Sequence, residues 1–255
     1  MAAVDDRAEP TSQVEPALAF RGVGKLFPDG TEALARVDLA VAPGEFVSVV
    51  GPSGCGKSTL LRIASGLTLQ THGTVAVNSG KVGHVFQDPT LLPWRTVRAN
   101  VELLGELEGL SGDERRRRAA EAIKLVGLAG FEAHRPRALS GGMRMRVSLA
   151  RSLTLEPDLF LFDEPFGALD EITRERLNDE LLRMFALRGF AALFITHSVP
   201  EAVFLSTRVV VLSGRPGRVM ADIAVPFEYP RAPELRYTPE FGALCGKVSR
   251  YLRSA

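Results

Sequence analysis

The stretch Phe46-Val-Ser-Val-Val-Gly51-Pro52-Ser53-Gly54-Cys55-Gly56-Lys57-Ser58-Thr59-Leu-Leu-Arg-Ile-Ala-Ser-Gly66-Leu67 decides how the chain folds. Its first five residues are apolar and rich in β-branching, as in a short buried strand. Gly51–Ser58 then matches GxxxxGK[ST] at every fixed position. Behind it, Leu60, Leu61, Ile63, Ala64 and Leu67 fall on one helical stripe that ends near Gly66. Strand, glycine loop and helix together form the setting in which such a loop binds phosphate. The glycines let successive backbone N–H groups curl round phosphate oxygens. The helix start adds the positive end of its dipole. Lys57 brings a point charge to the β and γ phosphates, and Ser58 offers a hydroxyl to Mg²⁺. The loop specifies a nucleoside triphosphate such as ATP, not a particular reaction.

Outward from that stretch, strands and helices alternate. Upstream, Leu18–Arg21 and Val37–Val41 read as short strands around a Pro28-Asp-Gly30 turn. Downstream, residues 97–155 are mostly helical, and Ser111-Gly-Asp-Glu114 reads as a capping box. Leu159–Phe162 and Ala191–Ile195 are apolar runs of the kind buried in parallel sheets. Between them, residues 170–187 form an amphipathic helix with Ile172, Leu177, Leu181, Leu182 and Phe185 inward. Ser198-Val-Pro-Glu201 reads as a second capping box with Pro200 in the first helical turn, and residues 208–212 and 218–223 pair around Ser213-Gly-Arg-Pro-Gly217. This alternation predicts an α/β fold with a largely parallel sheet.

Composition narrows the class. The chain has 255 residues, 45% hydrophobic and 24% charged, which excludes a disordered or collagen-like chain. A net charge of +1 gives no global reason to expect a nucleic-acid partner. Two cysteines, Cys55 and Cys245, build neither a disulfide framework nor a zinc site alone. No apolar run reaches the ~18 residues of a membrane span. The first residues, acidic and proline-bearing, lack the pattern of a secretory signal and read as a flexible cytoplasmic tail. Arg115–Arg118 invite a nucleic-acid reading, but Asp113, Glu114 and Glu121 beside them make a solvated helix face the simpler one.

Other residues carry chemistry. Asp163 ends an apolar strand, where a carboxylate can hold Mg²⁺, and the adjacent Glu164 can orient an attacking water. Leu139-Ser140-Gly141-Gly142-Met143 starts a helix with Ser140 as N-cap. That start is either a structural cap or a second anion site. A single nucleotide rarely needs two such starts from one subunit, so two copies sharing each nucleotide is the implied arrangement.

Gly51–Thr59, Gln87 in Val-Phe-Gln-Asp-Pro, Leu139–Met143, Asp163-Glu164, Ala168-Leu-Asp170 and Thr196-His197 stand in an order that resembles the ATPase subunits of ABC transporters. The resemblance spans about residues 18–218. It implies a P-loop NTPase cassette with a RecA-like core, an antiparallel β subdomain and a helical subdomain over about 88–155. The nucleotide-binding domain would cover 18–225, after a tail at 1–17 and before a C-terminal tail with a short helix at 226–255. By the same resemblance Phe27 stacks on adenine, its alternative being a core residue. Lys57, Ser58 and Thr59 bind phosphate and Mg²⁺, Asp163 serves the metal, Gln87 contacts Mg²⁺ or the water as a catalytic residue and reports to the membrane partner, and Glu164 polarises water. His197 holds the γ-phosphate, unless it is a buried core histidine. Ser140, Gly141 and Gly142 reach the opposite subunit's nucleotide, and Asp170 links the two sites of a homodimer.

Two departures stand out: Met143 where the family usually has Gln, and Ser198 where Asp is common. Neither removes a backbone donor or a catalytic group. The segments Leu91-Leu-Pro-Trp94-Arg95-Thr-Val97, Pro165–Asp170 and Gly214–Arg218 resemble those of nitrate, taurine and alkanesulfonate importers, with importers of thiamine's pyrimidine precursors close by. Such a subunit would sit on the cytoplasmic face of the membrane with two permease subunits and a solute-binding protein. Trp94 is then an anchor for a permease helix or a core residue. Residues 74–87 look shorter than in many relatives and suggest a trimmed hairpin. A soluble ABC ATPase outside transport is the alternative class. It would need a coiled-coil insertion or a second cassette, and the sequence has neither.

Overall fold

The strand that precedes the glycine loop lies inside a six-stranded sheet, in a computed structural model that describes residues 15–254. Most of the tail expected at 1–17 lies outside the described residues. β1 (Leu18–Leu26) and β2 (Glu32–Val41) pair antiparallel, Leu18 opposite Val41. Both run longer than their sequence signals. At the turn between them Phe27 N–H donates to Thr31 O and Asp29 Oδ1 accepts from Thr31 N–H. β3 (Phe46–Val50) follows, then α1 (Lys57–Ala64) and β4 (His72–Val77), which pairs with the other edge of β1.

β5 (Val82–Val85) pairs parallel with β6 (Leu159–Asp163), and so does β7 (Ala191–Ile195). The expected hairpin at 74–87 therefore does not exist. β4 and β5 belong to different sheets, because each finds its partner far away in sequence rather than in its neighbour. β8 (Arg208–Leu212) lies on the other side of β3, and β9 (Val219–Ala224) closes the edge antiparallel, giving the order β5-β6-β7-β3-β8-β9.

Helices make the crossovers. α2 (Val97–Val101), α3 (Leu103–Leu107), α4 (Gly112–Leu125) and α5 (Gly141–Leu153) stand between β5 and β6. α6 (Glu171–Arg188) joins β6 to β7, α7 (Val199–Leu205) joins β7 to β8, and α8 (Pro239–Arg253) ends the described chain. The C-terminal helix is longer than expected, and its Phe241 and Val248 enter the core.

The strands are apolar without alternation because both faces of the sheet are covered. Successive side chains point to opposite faces. Phe46, Phe162 and Phe194 thus join the helix-covered core, while Val47, Val49, Leu161 and Leu193 join a second core under α1 and the β1–β2 pair. Phe46 meets Phe185 edge-on at 5.3 Å between ring centroids.

Two expected core residues are on the surface. Leu67 is 63% exposed, because α1 stops at Ala64 and the stripe is not continued. Ile172 is 81% exposed, in the first turn of α6, while Leu177, Leu181, Leu182 and Phe185 are buried as expected. Ser111 and Ser198 cap their helices by accepting from Glu114 N–H and Glu201 N–H. The return half of each box is missing. Glu114 instead pairs with Arg117 and Arg118, and Arg116 pairs with Asp113, so Arg116 and Arg117 form an ion-paired solvated face, while Arg118 pairs half-buried and Arg115 makes no ion pair among the described residues.

Candidate functional site

In a parallel sheet the open crevice lies beyond the carboxyl ends of the strands. β3 ends at Val50 and passes directly into the glycine loop. The loop turns into α1 at Gly56, whose φ is 102°. A Cβ there would also stand 2.6 Å from Ala33 O, so only glycine fits. Lys57 is buried and donates to Gly51 O at 2.8 Å and Pro52 O at 3.0 Å. Its third N–H remains for the cleft. Ser53, Gly54, Gly56, Lys57, Ser58 and Thr59 all line that cleft. Gly51 and Pro52 act instead through their carbonyls, and the Cys55 side chain is buried in the second core.

β6 delivers the carboxylates. Ser58 Oγ donates to Asp163 Oδ1 at 2.9 Å, joining two segments 105 residues apart. Burial pushes the Asp163 carboxyl up, opposed by the Ser58 hydrogen bond, and the Glu164 charge raises it further. Glu164 lines the cleft from a left-handed backbone, φ 44°, a strained conformation of the kind that clusters at functional sites. β7 delivers His197, whose Nδ1 lies 3.1 Å from Glu164 Oε2. The His197 side chain is 54% exposed, so it is not a core histidine. Its neighbour Thr196 donates to Glu201, which is 5% exposed, and accepts from Ser198 N–H at 3.0 Å. The strand end before the histidine is thereby fixed on both sides. Burial pushes the Glu201 carboxyl up.

Phe27 forms the far wall with Thr31 and Ala33, and Lys25 Nζ stands 5.1 Å from its ring centroid. The core alternative for Phe27 is therefore excluded. Gln87 is exposed, just past β5. The segment after it is held at two points. Arg151 of α5 donates to Pro89 O at 3.0 Å and Thr90 O at 3.1 Å. Buried Asn100 bonds Leu92 through both its amide groups. Just beyond these anchors Trp94 is 67% exposed, and Arg95 pairs with Glu106 at 2.8 Å. Trp94 is thus a surface residue, not a core one.

Ser140, Gly141, Gly142 and Asp170 do not line the cleft. Ser140 caps α5 on Met143 N–H, and Asp170 caps α6 on Thr173 N–H. Met143 packs on the larger core. Sequence reasoning missed Arg215, Thr31 and Arg151, and read Glu201 only as part of a helix start. Among the first three, only the Gly-Arg-Pro-Gly turn holding Arg215 gave a signal, and that was one of resemblance.

The sequence profile described as ABC transporter matches residues 34–167. The chain is 46% identical over 204 residues to the aliphatic sulfonates import ATP-binding protein SsuB 1 of Pseudomonas syringae, covering 79% of this chain and 83% of that protein. It is 43% identical over 234 residues to the nitrate import ATP-binding protein NrtD of Synechocystis, covering 87% and 88%. It is 46% identical over 202 residues to the taurine import ATP-binding protein TauB of Burkholderia pseudomallei, covering 76% and 78%. Among solved structures, the dimeric bacterial ABC transporter cassette MJ0796 superposes with a TM-score of 0.74 at 34% identity, covering 83% of this chain and all of that one. Motif order, strand-end geometry and these matches agree: the chain belongs to the ABC transporter family.

Proposed function

We propose that the chain is the ATP-hydrolysing subunit of an importer for a small solute such as nitrate, taurine, an alkanesulfonate or a pyrimidine precursor. In this reading it works as a homodimer on the cytoplasmic face of the membrane, against two permease subunits served by a solute-binding protein. One juxtaposition carries it. Lys57, Ser58 and Thr59, the Asp163–Glu164 pair and His197 meet beyond the ends of three parallel strands. The relatives at 43% and 46% identity support the importer class, and the described residues include no helix long and apolar enough to cross a membrane. Trp94 and Arg95, an exposed aromatic and an arginine on a pinned segment, suit a permease helix.

The backbone donors of the loop and Lys57 hold the phosphates, and Phe27 takes the adenine face. Ser58 and Asp163 are hard oxygen donors 2.9 Å apart, with Gln87 on the neighbouring strand end, and these fit Mg²⁺. The described residues hold no cluster of three or more His, Cys, Asp or Glu, so phosphate oxygens and water must complete its shell. Mg²⁺, when bound, supplies charge neutralisation to the phosphates. Glu164 accepts a hydrogen bond from the attacking water and orients it, and its contact to His197 fixes both side chains. His197 Nε2 is then left to face the γ-phosphate. Ser140, Gly141 and Gly142 of a second copy close the site, and Asp170 lies where the two sites adjoin.

Glu164→Gln tests this reading. Gln keeps the shape but orients water poorly. The variant should bind ATP, hydrolyse it far more slowly and elute as a dimer, with ADP leaving it monomeric. Undiminished hydrolysis sinks the role of Glu164, and a monomer with ATP demonstrably bound sinks the shared site.

A further inference from the structure

β8 also ends at this cleft. Its carboxyl end runs into Ser213-Gly214-Arg215-Pro216-Gly217 before β9 returns. The turn is built onto the phosphate loop and the start of β2. Gly217 N–H donates to Ala33 O, and Ala35 N–H donates to Gly217 O, each at 3.0 Å. A Cβ at Gly217 would come within 2.2 Å of Cys55 O, so the turn lies directly against the loop backbone. Ser213 Oγ accepts from Arg218 N–H at 3.0 Å and closes the turn.

This fixed turn projects Arg215 into the cleft, beside Phe27 and Thr31. Arg215 Nε donates to Gly54 O at 3.1 Å. Its Nη1 and Nη2 atoms have no partner among the described residues. Thr31 N–H, and in smaller part the Arg215 charge, hold the Asp29 carboxyl below its usual range. The guanidinium therefore stands between the turn that follows Phe27 and the loop that precedes Lys57. Phe27, Lys57 and Arg215 line one cleft, so a ligand that spans the ring and Lys57 would share it with the guanidinium.

We propose that Arg215 is a nucleotide-binding residue whose unused N–H donors contact the phosphate chain of bound ATP or ADP on its α,β side. Lys57 serves the β,γ side, and the two cations flank the chain. A guanidinium suits this place better than an ammonium, since one N–H anchors it to Gly54 O while the fork stays free for phosphate oxygens. The proposal rests on the ATP-cassette reading above.

The test measures ADP and Mg²⁺-free ATP affinity for the intact chain, its Arg215→Ala and Arg215→Lys variants, and Lys57→Ala as a control. Arg215→Ala should weaken both nucleotides by about tenfold, the lower end for a charge-assisted bond at an exposed site. Arg215→Lys should lose less, and the deficit of Arg215→Ala should shrink at high salt. In steady state, KM for ATP should rise about tenfold while kcat changes far less, the signature of uniform binding. Unchanged affinities in a folded Arg215→Ala protein overturn the proposal, as does a loss confined to ATP, which would place the contact on the γ-phosphate. Should the alanine variant not fold, wild-type affinity of Arg215→Lys at every salt concentration overturns it equally. If Lys57→Ala also binds normally, the site reading itself fails. If Lys57→Ala loses binding while Arg215→Ala does not, only the role of Arg215 fails.

Discussion

Arg151→Met removes the clamp on the segment that follows Gln87. Arg151 is 7% exposed on α5, and its guanidinium reaches Pro89 O, Thr90 O and Thr90 Oγ1 at 3.0 to 3.1 Å. No carboxylate pairs with it among the described residues, and burial pushes its pKa down. The cation is thus held by carbonyl and hydroxyl dipoles. Methionine keeps much of the apolar stem and discards the fork. Two carbonyls then lose their donors, at about 1–3 kcal/mol each when fully buried. Thr90 is exposed and Pro89 only half-buried, so water recovers part of that, and the lower end applies. Relief of guanidinium desolvation offsets some of the remainder. The net expectation is a loss of ~1 kcal/mol, about fivefold in the folding equilibrium. Urea unfolding should show it as a lower midpoint at unchanged slope. Amide exchange should rise over residues 88–96, because the tether that holds them is gone. An unchanged or raised midpoint with unchanged exchange would mean that desolvation cancels the hydrogen bonds and that Arg151 clamps nothing.

Two titrations follow from burial. His84 stacks on Phe86 at 3.8 Å, its Nε2 has no partner, and burial pushes its pKa down to about 4. The unfolded chain takes up a proton near pH 6.5 that the folded one refuses, so stability should fall by ~2–3 kcal/mol as pH drops from 6.5 to 4. His84→Phe should flatten that limb in acid unfolding, and parallel curves for the two proteins would refute the assignment. Glu201 has the opposite sign. Its raised pKa means that the native state holds the proton more tightly, so stability is lost as pH climbs above the ordinary glutamate range. Glu201→Gln, which can still accept from Thr196, should be at least as stable as wild type at pH 8. A clear loss there would refute it.

What the sequence made legible was local. Val50–Thr59 carries strand end, loop and helix start within ten residues, so pattern alone locates the cleft. Ser140 and Asp170 were readable as helix starts because a cap reaches only three residues ahead. Leu67 and Ile172 were misread at helix ends, where periodicity continues on paper although the packing surface has stopped. The partition of β4 and β5 between two sheets could not be read, since pairing with β1 and β6 is decided by distant chain. The same holds for the polar residues. Arg151 meets Thr90 across 61 positions and Arg215 meets Gly54 across 161, and neither bond leaves a short-range signature.

The half-built character of the site follows from how α5 and α6 begin. A Cβ at Gly142 would stand 2.9 Å from Thr173 Cγ2, and one at Gly141 would stand 3.5 Å from Leu169 Cδ2. The two helix starts are therefore packed together, and Ser140, Gly141 and Asp170 emerge exposed on a common face. None of them lines the cleft of Lys57 and Glu164. A helix start with free N–H groups attracts an anion, and the chain does not bring its own phosphate site to this one. In the proposed reading a two-fold dimer would supply the missing half, because an isologous interface would set each chain's face against its partner's cleft and close two sites at once. The solved cassette that superposes on this chain is dimeric. Met143 fits the same logic. Its side chain turns into the core, while the donors that face outward belong to the backbone and to Ser140. In the proposed reading the glutamine amide missing at that position would therefore leave the backbone donors of this helix start in place.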